Sequence, residues 1–405
     1  MFFPRSIRLT ISLYLAQIVN LVFGWLIAKL NTSYLSVSEY GQFSFFITVI
    51  NILYVFFTFG IFESSSRSIA VSNSPQKYRQ LLAATIGMAL ISYLFFTIIF
   101  WFSHFFIDSL FEVKVGFLIK VFFPLAGVYL FSNMWQMVLR GAGKIHQLVI
   151  FLITPRMLYL ISLFFLSFTG NYSLKGSAFL NLLSLLLVTI IFIFSEKPLF
   201  TRFAQSLSIL WREIRSFGIH LYWSEIIKVF LYHTDKIFIS FFIDAEQLAY
   251  YALAYTITFP ISFFSTAHST ILYKKFTTSR KISRSTLTIN FFWIILSVLI
   301  MLLFKKWIIL NLFSEKYLQS LNVFSFLAIA FGIAGLSRIF NFFLTAQGAG
   351  NAIRNISVSV LLVHLGLNIV LIPRLGIQGA AISILVTYLF DLVISLYYYL
   401  KKKKK

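Results

Sequence analysis

Apolar residues in this chain form long, nearly uninterrupted runs that short polar stretches separate. A helix of about 20 apolar residues is long enough to cross the hydrocarbon core of a bilayer. Twelve windows of about that length lie at residues 9–30, 43–62, 81–106, 116–138, 147–169, 176–195, 218–242, 249–270, 287–304, 319–345, 355–373 and 379–400. The pattern predicts an all-α polytopic membrane protein with twelve transmembrane helices.

The polar stretch at residues 196–217 divides these windows into two sets of six. Its charged and apolar residues alternate in a way that indicates an amphipathic cytoplasmic connector near the membrane interface. We therefore expect an N-terminal six-helix bundle at 1–195, a C-terminal six-helix bundle at 218–400 and a basic cytoplasmic tail at 401–405. The segments between windows leave no room for a soluble catalytic domain.

Composition supports the membrane class and limits the chemistry. Of the 405 residues, 59% are hydrophobic and 11% are charged, which is not the composition of a soluble domain of this size. The absence of cysteine excludes disulfides and thiolate metal sites. Arg5 and Arg8 precede an apolar run that lacks a small-residue cleavage site, so we expect a retained first span rather than a signal peptide.

The net charge of +22 would suggest nucleic-acid binding in a soluble protein. If the N-terminus lies inside, however, the cytoplasmic segments hold 22 Lys and Arg residues and the outside loops hold 6. This asymmetry follows the positive-inside rule. We therefore expect both termini in the cytoplasm and no nucleic-acid partner.

Three short motifs recur in the second half of the chain at a nearly constant offset. Residues 41–44 correspond to 249–252, residues 140–144 to 347–351, and residues 174–178 to 377–381. Two blocks with an even number of spans have the same orientation in the membrane. The repeats predict two parallel six-helix bundles, related by a pseudo-two-fold axis along the membrane normal, around a central cavity.

The window at 218–242 is apolar enough to span but carries several charges. At helical spacing, Glu225, Lys228, Tyr232 and Asp235 share one face. A charge that faces lipid costs several kcal/mol. We therefore expect this face to meet protein or a water-filled cavity.

Four segments carry a resemblance to a known family. They are residues 39–44 after the first span, 59–70 at the end of the second, 235–254 across the seventh and eighth, and 368–381 between the last two. These segments are similar to the polysaccharide-transporter branch (Wzx-type, O-antigen flippases) of the MOP superfamily of exporters and flippases. The resemblance covers nearly the whole chain.

The resemblance implies alternating access by two bundles around a cationic cavity. The implied substrate is an undecaprenyl-pyrophosphate-linked oligosaccharide, an O-antigen or capsule repeat unit, which moves from the cytoplasmic to the outer leaflet of the bacterial inner membrane. The resemblance also implies membrane lipids as partners, together with two proteins, a polysaccharide polymerase and a chain-length regulator. No cofactor is expected.

A pyrophosphate that crosses hydrocarbon needs cationic donors. Arg156 and Lys228 lie nearest mid-span, and Arg67 and Arg338 lie nearer the predicted cytoplasmic side, where the head group would enter. The remaining candidates, Lys29, Lys120 and Lys236, are close enough to a span end to reach the interface with their ammonium groups instead.

Transport against a gradient needs an energy source, and the sequence lacks the GxxxxGK[ST] phosphate-binding loop, so coupling to a proton or sodium gradient is our hypothesis. The acids within the predicted spans are Asp391, Asp235 and Glu225, which makes them the candidate proton or sodium carriers. Glu225 and Lys228 are three residues apart, so a structural ion pair is the alternative interpretation.

Tyr222, Trp223 and Tyr232 are candidates for stacking on sugar rings, although most aromatic residues in such a chain belong to the core or face lipid. The six histidines lack metal-ligand spacing, so no metal site is expected.

Two other functions are open at this point. A multidrug or cation antiporter of the related exporter branch would favour an acid-rich cavity, whereas cations outnumber acids within these spans. A membrane polysaccharide polymerase or an acyltransferase would favour a large external loop or a mid-membrane histidine. The outside segments are short, and His364 stands alone in the sequence pattern. The sequence therefore predicts a transporter rather than an enzyme.

Overall fold

The structure is a computed structural model that describes residues 5–72 and 74–403. The side chains of residues 5–14 and of His220, Ser224, Lys228, Lys274 and Lys403 lie outside this description. The described residues form helices and connecting turns without any strand, and the predicted all-α class is confirmed. The chain divides into two compact units, and the division falls within one helix, between His233 and Thr234.

The first unit contains the chain up to Leu35 together with Gln42–His233. Its helices include the longest uninterrupted span, of 36 residues, and a short connector helix that a π-helical turn, Ile214–Gly218, joins to the next span. The helices are α1 Arg5–Tyr34, α2 Val37–Phe56, α3 Ile61–Ala70, α4 Pro75–Leu110, α5 Gly116–Ala126, α6 Val128–Gly141, α7 Ile145–Phe168, α8 Leu174–Glu196, α9 Phe203–Glu213 and α10 Ile219–Phe242.

The second unit contains Ser36–Gly41 and the chain from Thr234 onward. Short 3₁₀ or π turns at Phe259–Ser262, Ile309–Phe313 and Glu315–Ser320 separate or end several of its helices. The helices are α11 Ala245–Thr258, α12 Phe263–Thr278, α13 Arg284–Ile308, α14 Leu321–Ala346 and α15 Gly350–Lys403. The second part of α10 also belongs to this unit.

Each predicted window overlaps one helix or two consecutive helices, and the count of twelve is approximate. In the described part of the chain, nine helical segments are long and apolar enough to cross a membrane, or ten if α5 and α6, bent by 41°, form one span. Helix α10 is not among these segments, because its four charged residues make it too polar. The segment of α15 covers two windows, because the backbone of this helix breaks at Gly376.

The prediction of one helix over 43–62 is wrong, because α2 ends at Phe56 and α3 begins at Ile61. Phe59 and Gly60 between them have φ angles of 45° and 69°, in the left-handed region that favours glycine. Gly60 also packs directly on the backbone of the π turn, where a Cβ atom would lie 2.3 Å from the Gly218 carbonyl oxygen. The turn therefore requires glycine for both conformation and space.

A buried hydrogen-bond network joins α1, α7 and α8 at one end of the first unit. The Ser177 hydroxyl donates to Asn31 Oδ1 at 2.6 Å, and the Tyr172 hydroxyl donates to the same oxygen at 2.9 Å. The Asn31 amide donates to the Tyr159 hydroxyl, which lies 2.7 Å from Ser177. Tyr172 lies in the loop outside the spans, and burial raises the pKa of its hydroxyl, which extends its role as a donor to alkaline pH.

Candidate functional sites in the two units

Arg156 is the centre of a polar cluster in the first unit. It follows Pro155 on α7, is exposed, and donates from Nη1 to the Asn20 carbonyl of α1 at 2.7 Å. Gly24, one helical turn further along α1, lies beside the guanidinium, and a Cβ atom there would be in van der Waals contact with Nη1 at 3.8 Å. Because one nitrogen is engaged, the rest of the fork can bind an anion.

Tyrosines and amides extend this cluster across the unit. The Tyr129 hydroxyl interacts electrostatically with Arg156 and donates to Asn181 Oδ1 at 3.2 Å. Tyr54 lies with its ring centre 6.3 Å from that of Tyr129 and sits beside Asn133. We call these six residues the Arg156 cluster: Arg156, Asn20, Tyr54, Tyr129, Asn133 and Asn181.

The Arg156 cluster has unused hydrogen-bonding capacity. The side-chain oxygens of Asn20 and Asn133 are buried and have no hydrogen-bond partner among the described residues. Glu225 on α10 acts electrostatically on Tyr54, so this predicted acid lies next to the cluster. A cation, two phenols and open amide oxygens together suit a ligand that carries both phosphate and hydroxyl groups.

The other predicted cations of the first unit are not part of this cluster. Arg67 forms an ion pair of 2.9 Å with Glu213 and covers the Phe217 ring at 4.5 Å, which ties α3 to α9 and the π turn. Lys29 and Lys120 are exposed on α1 and α5. The prediction for Lys228 falls on a side chain outside the described residues, so it stays a prediction.

The predicted sugar-stacking residues lie on α10 and differ in environment. Tyr222 is buried against Val55 and Ile226, and its hydroxyl donates to the Phe56 carbonyl at 2.9 Å, at the end of α2. Trp223 is exposed, and Tyr232 is half-buried. The hydroxyl of Tyr222 is therefore engaged in ending α2, whereas the ring of Trp223 is accessible.

Asp235 is fully buried in the second unit, consistent with the cost of exposing a charge to lipid. The Tyr251 hydroxyl of α11 donates to Asp235 Oδ2, and Oδ1 has no hydrogen-bond partner among the described residues. Lys236 follows in the sequence and covers the Tyr255 ring at 5.2 Å. The carboxylate thus keeps one oxygen available for a proton or a cation.

Polar residues of α15 surround the same region. His364 is buried, lies 3.2 Å from the Thr387 hydroxyl and 3.2 Å from the Asn368 amide, and interacts electrostatically with Asp235. The side-chain oxygen of Asn368 is buried and has no partner within the described residues. We call Asp235, Tyr251, His364, Asn368 and Thr387 the Asp235 cluster.

Asp391 lies at the centre of a second group, between α14 and α15. The Ser337 hydroxyl donates to Asp391 Oδ2 at 2.5 Å, and the Asn341 amide and the Ser395 hydroxyl donate to Oδ1 at 3.3 and 3.1 Å. Arg338 acts electrostatically on the carboxylate and donates to the Thr266 hydroxyl at 2.9 Å. We call Asp391, Ser337, Arg338, Asn341 and Ser395 the Asp391 cluster.

The Asp391 cluster offers partners for both protonation states of the carboxyl group. When Asp391 is ionised, both hydroxyls and the amide donate to it. When it is protonated, its O–H can donate to Ser337, whose own proton then goes to the Ala334 carbonyl at 3.0 Å. The Ser395 proton then goes to Asn341 Oδ1 at 2.9 Å. The carboxyl group therefore has hydrogen-bond partners in both states, whereas Asn341 Oδ1 receives the Ser395 proton only when Asp391 is protonated.

These geometries can be compared with known proteins. The model of the polysaccharide biosynthesis protein family matches residues 6–273, which is 268 of the 405 residues. The chain belongs to this family. No curated protein is similar enough in sequence to match it.

Solved structures share the fold of this polysaccharide biosynthesis protein. An inward-facing multidrug-resistance MATE transporter of the MOP superfamily has a TM-score of 0.75 at 17% identity, over 96% of this chain and 94% of that one. The lipid II flippase MurJ, in an inward closed conformation, has a TM-score of 0.72 at 17% identity, over 98% of this chain and 90% of that one. A MOP-superfamily transporter from Pyrococcus furiosus has a TM-score of 0.61 at 15% identity, over 98% of this chain and 94% of that one.

At these identities the likeness shows the fold alone. The family model confirms the predicted resemblance to a polysaccharide family, and the apolar helices make the family member a multi-pass membrane protein. The fold is one that transporters and a flippase use, in agreement with the non-enzymatic class that the sequence predicts.

Several residues of these clusters were not predicted from the sequence. Spacing could have found some of them, because Ser383, Thr387, Asp391 and Ser395 recur every four residues and therefore share one helical face. All four are buried in the structure, as expected for polar side chains in a membrane span. His364 and Asn368 have the same spacing. Among the described residues, no group of three or more His, Cys, Asp or Glu side chains is placed to hold a metal ion.

Proposed function

We propose that this family member is a flippase for undecaprenyl-pyrophosphate-linked oligosaccharides of the O-antigen or capsule type. It would act by ion-coupled alternating access in the bacterial inner membrane, with both termini in the cytoplasm. The observation that carries the proposal is membership of the polysaccharide biosynthesis protein family over residues 6–273. A polymerase and a chain-length regulator would be its partners.

The Arg156 cluster supports this substrate class. A pyrophosphate needs cationic donors, and Arg156 presents a guanidinium fork of which one nitrogen is engaged by protein. The sugar hydroxyls need both donors and acceptors, which the Asn20 and Asn133 oxygens and the two phenols supply. Lys228, Arg338, Arg67, Lys29, Lys120 and Lys236 remain candidate contacts for the head group at other stages of transport.

Asp391 is our first candidate for ion coupling. Because the Asp391 carboxyl group has hydrogen-bond partners whether it is charged or neutral, a proton can bind and leave by rotation of the Ser337 and Ser395 hydroxyls alone. Three donors already point at the carboxylate, which makes the cluster better suited to a proton than to a metal cation. Asp235, with one unpartnered oxygen, and Glu225 are the further candidates.

Complementation of a flippase-null strain tests the proposed function. Expression of the wild-type chain should restore surface polysaccharide, scored by gel analysis of extracted glycan, and the lipid-linked precursor should no longer accumulate inside. Restored resistance to cationic drugs without surface polysaccharide would contradict the proposal and favour the antiporter. Failure to restore either phenotype, with the protein present in the membrane of several hosts that make different glycans, would also contradict it.

A further inference from the structure

The first unit contains a second cationic region, separate from the Arg156 cluster. It is an open cavity of about 550 Å³, where the ends of α3, α4, α6, α7 and α8 meet. Its charged lining residues are Arg79, Lys144, Glu196 and Lys197. The predicted topology assigns these helix ends to the cytoplasmic side. The volume lies in the usual range of small-molecule sites, about 300–1,000 Å³.

The single carboxylate of this cavity is already neutralised. Glu196 is buried and forms an ion pair with Lys144, while the Tyr78 hydroxyl donates to it at 2.7 Å. Lys144 also covers the Tyr78 ring at 4.4 Å. Because Glu196 and Lys144 cancel, the net charge of the lining comes from Arg79 and Lys197.

Arg79 and Lys197 retain free donors. The Arg79 Nε donates to the Lys197 carbonyl at 2.6 Å, and the Leu199 amide donates to the Arg79 carbonyl at 2.9 Å. These two bonds fix the start of α4 against the end of α8. The Arg79 Nη atoms and the Lys197 ammonium have no hydrogen-bond partner among residues 5–72 and 74–403. The guanidinium is thus positioned through one nitrogen, which leaves the other two for an anion.

The lining also contains a neutral group that lacks a donor. Gln147 lines the cavity, and its buried side-chain oxygen has no hydrogen-bond partner in the described part of the chain. Ser72, Ser74 and Ser195 line the cavity as well, with hydroxyls bonded to nearby backbone groups. A bare phosphate would satisfy the cations but not the Gln147 oxygen, which needs a donor such as a sugar hydroxyl.

We propose that this cavity binds a sugar phosphate, with the phosphate at Arg79 and Lys197 and a sugar hydroxyl at Gln147. The ligand is the head of a lipid-linked sugar or a soluble sugar phosphate; the two share this chemistry. The lining does not include the residues proposed above for translocation, so binding at this cavity can be tested without a transport assay.

Calorimetric titration of the purified full-length protein in detergent tests the site, with glucose 1-phosphate as the probe. We expect saturable binding, and roughly tenfold weaker binding or none in the double variant Arg79→Gln with Lys197→Gln. Lys77→Gln is the matched control, because Lys77 is exposed on the same helix turn and does not line the cavity. It should bind as the wild type does.

A second variant separates the two parts of the ligand. Gln147→Leu should weaken glucose 1-phosphate binding roughly tenfold while inorganic phosphate binding stays unchanged. Titration in nanodiscs that carry an undecaprenyl-linked sugar distinguishes the source: competition with glucose 1-phosphate assigns the lipid-linked head, and its absence assigns the soluble ligand.

Three results would overturn the proposal: no saturable binding by the wild type, equal affinity in the double variant, or equal loss in Lys77→Gln. If the double variant does not fold, Arg79→Lys replaces it, since it keeps the charge and loses the fork. Glucose 1-phosphate affinity in Arg79→Lys that equals the wild type would also contradict the site.

Discussion

At the scale of single residues, the buried acids of the second unit are the positions with the clearest chemical constraint. A carboxylate inside a membrane protein is costly unless partners compensate for the lost hydration. Asp391 has three hydrogen-bond donors around it, and Asp235 has one. The two acids are therefore buried in different ways, and their replacements should differ in effect.

Asp391→Asn should abolish ion coupling but keep the protein folded. The amide has nearly the same size, and Ser337, Asn341 and Ser395 can still bond to it, but it cannot bind and release a proton. We expect surface polysaccharide in the complementation assay to fall roughly tenfold or more, with unchanged protein level on immunoblots. Glu112→Gln, an exposed loop acid, is the control. Normal flipping by the Asp391 variant would remove this residue from the mechanism.

The sequence predicts the acids but not their partners. Asp235, Asp391 and Arg156 stand out because a charge within an apolar window always needs an explanation. Tyr251, Ser337 and Asn341 do not, because tyrosine, serine and asparagine are common in spans and acquire a role only when another helix brings a carboxylate to them. The sequence therefore identifies the charged residues whose burial is unfavourable, but it does not identify the side chains that hydrogen-bond to them.

At the scale of elements, the break within α15 depends on one glycine. Gly376 has φ 62° and ψ −142°, a conformation that residues with a Cβ atom almost never adopt. Pro373 precedes it, and three residues later a Cβ atom on Gly379 would lie 2.2 Å from the Leu371 carbonyl oxygen. The chain thus reverses within a few residues and needs small side chains to do so.

Gly376→Ala should destabilise the protein by about 1–3 kcal/mol. Gly366→Ala in the same helix is the matched control: its φ is not in the left-handed region, and nothing lies within 4 Å of a Cβ atom there. The Gly366→Ala substitution should leave the free energy of unfolding unchanged or raise it by about 0.5–1 kcal/mol. Thermal unfolding in detergent, followed by fluorescence-detected size-exclusion chromatography, checks both. Equal melting temperatures for the two variants would contradict the role of Gly376.

Element prediction succeeded where hydropathy decides and failed where glycine packing decides. The windows at 355–373 and 379–400 were expected to be separate spans, and the helix breaks between them, at Gly376. The window at 43–62 was expected to be one helix, because Thr58, Phe59 and Gly60 lie inside a continuous apolar run. The break there serves the contact between Gly60 and Gly218, which are far apart in sequence.

At the scale of the whole molecule, the distribution of Lys and Arg is the main constraint on orientation. The segments predicted to be cytoplasmic hold 22 of these residues, and the outside loops hold 6. We therefore attribute most of the net charge of +22 to orientation rather than to a polyanionic partner. The charge distribution is a property of the sequence itself, and the orientation that it indicates stays a prediction. The limits of the two bundles, at the 196–217 connector, stay a prediction.

Reporter fusions test the orientation. Green fluorescent protein fused after the last residue should fluoresce, and alkaline phosphatase at the same point should be inactive, because the C-terminus is predicted to be cytoplasmic. Alkaline phosphatase fused after Asn171, in a loop predicted to be outside, should be active, and the fluorescent protein there should be dark. The reverse pattern at both sites would overturn the predicted topology.

The regular spacing of Ser383, Thr387, Asp391 and Ser395 has a mechanical consequence. Successive members are about 6 Å apart along one helix axis, and all four follow the break at Gly376. Thr387 supports His364 of the Asp235 cluster, while Asp391 and Ser395 form the other group. A rotation of this segment about its own axis would turn all four side chains through the same angle. The two carboxylates would then experience a single synchronised change instead of two independent ones.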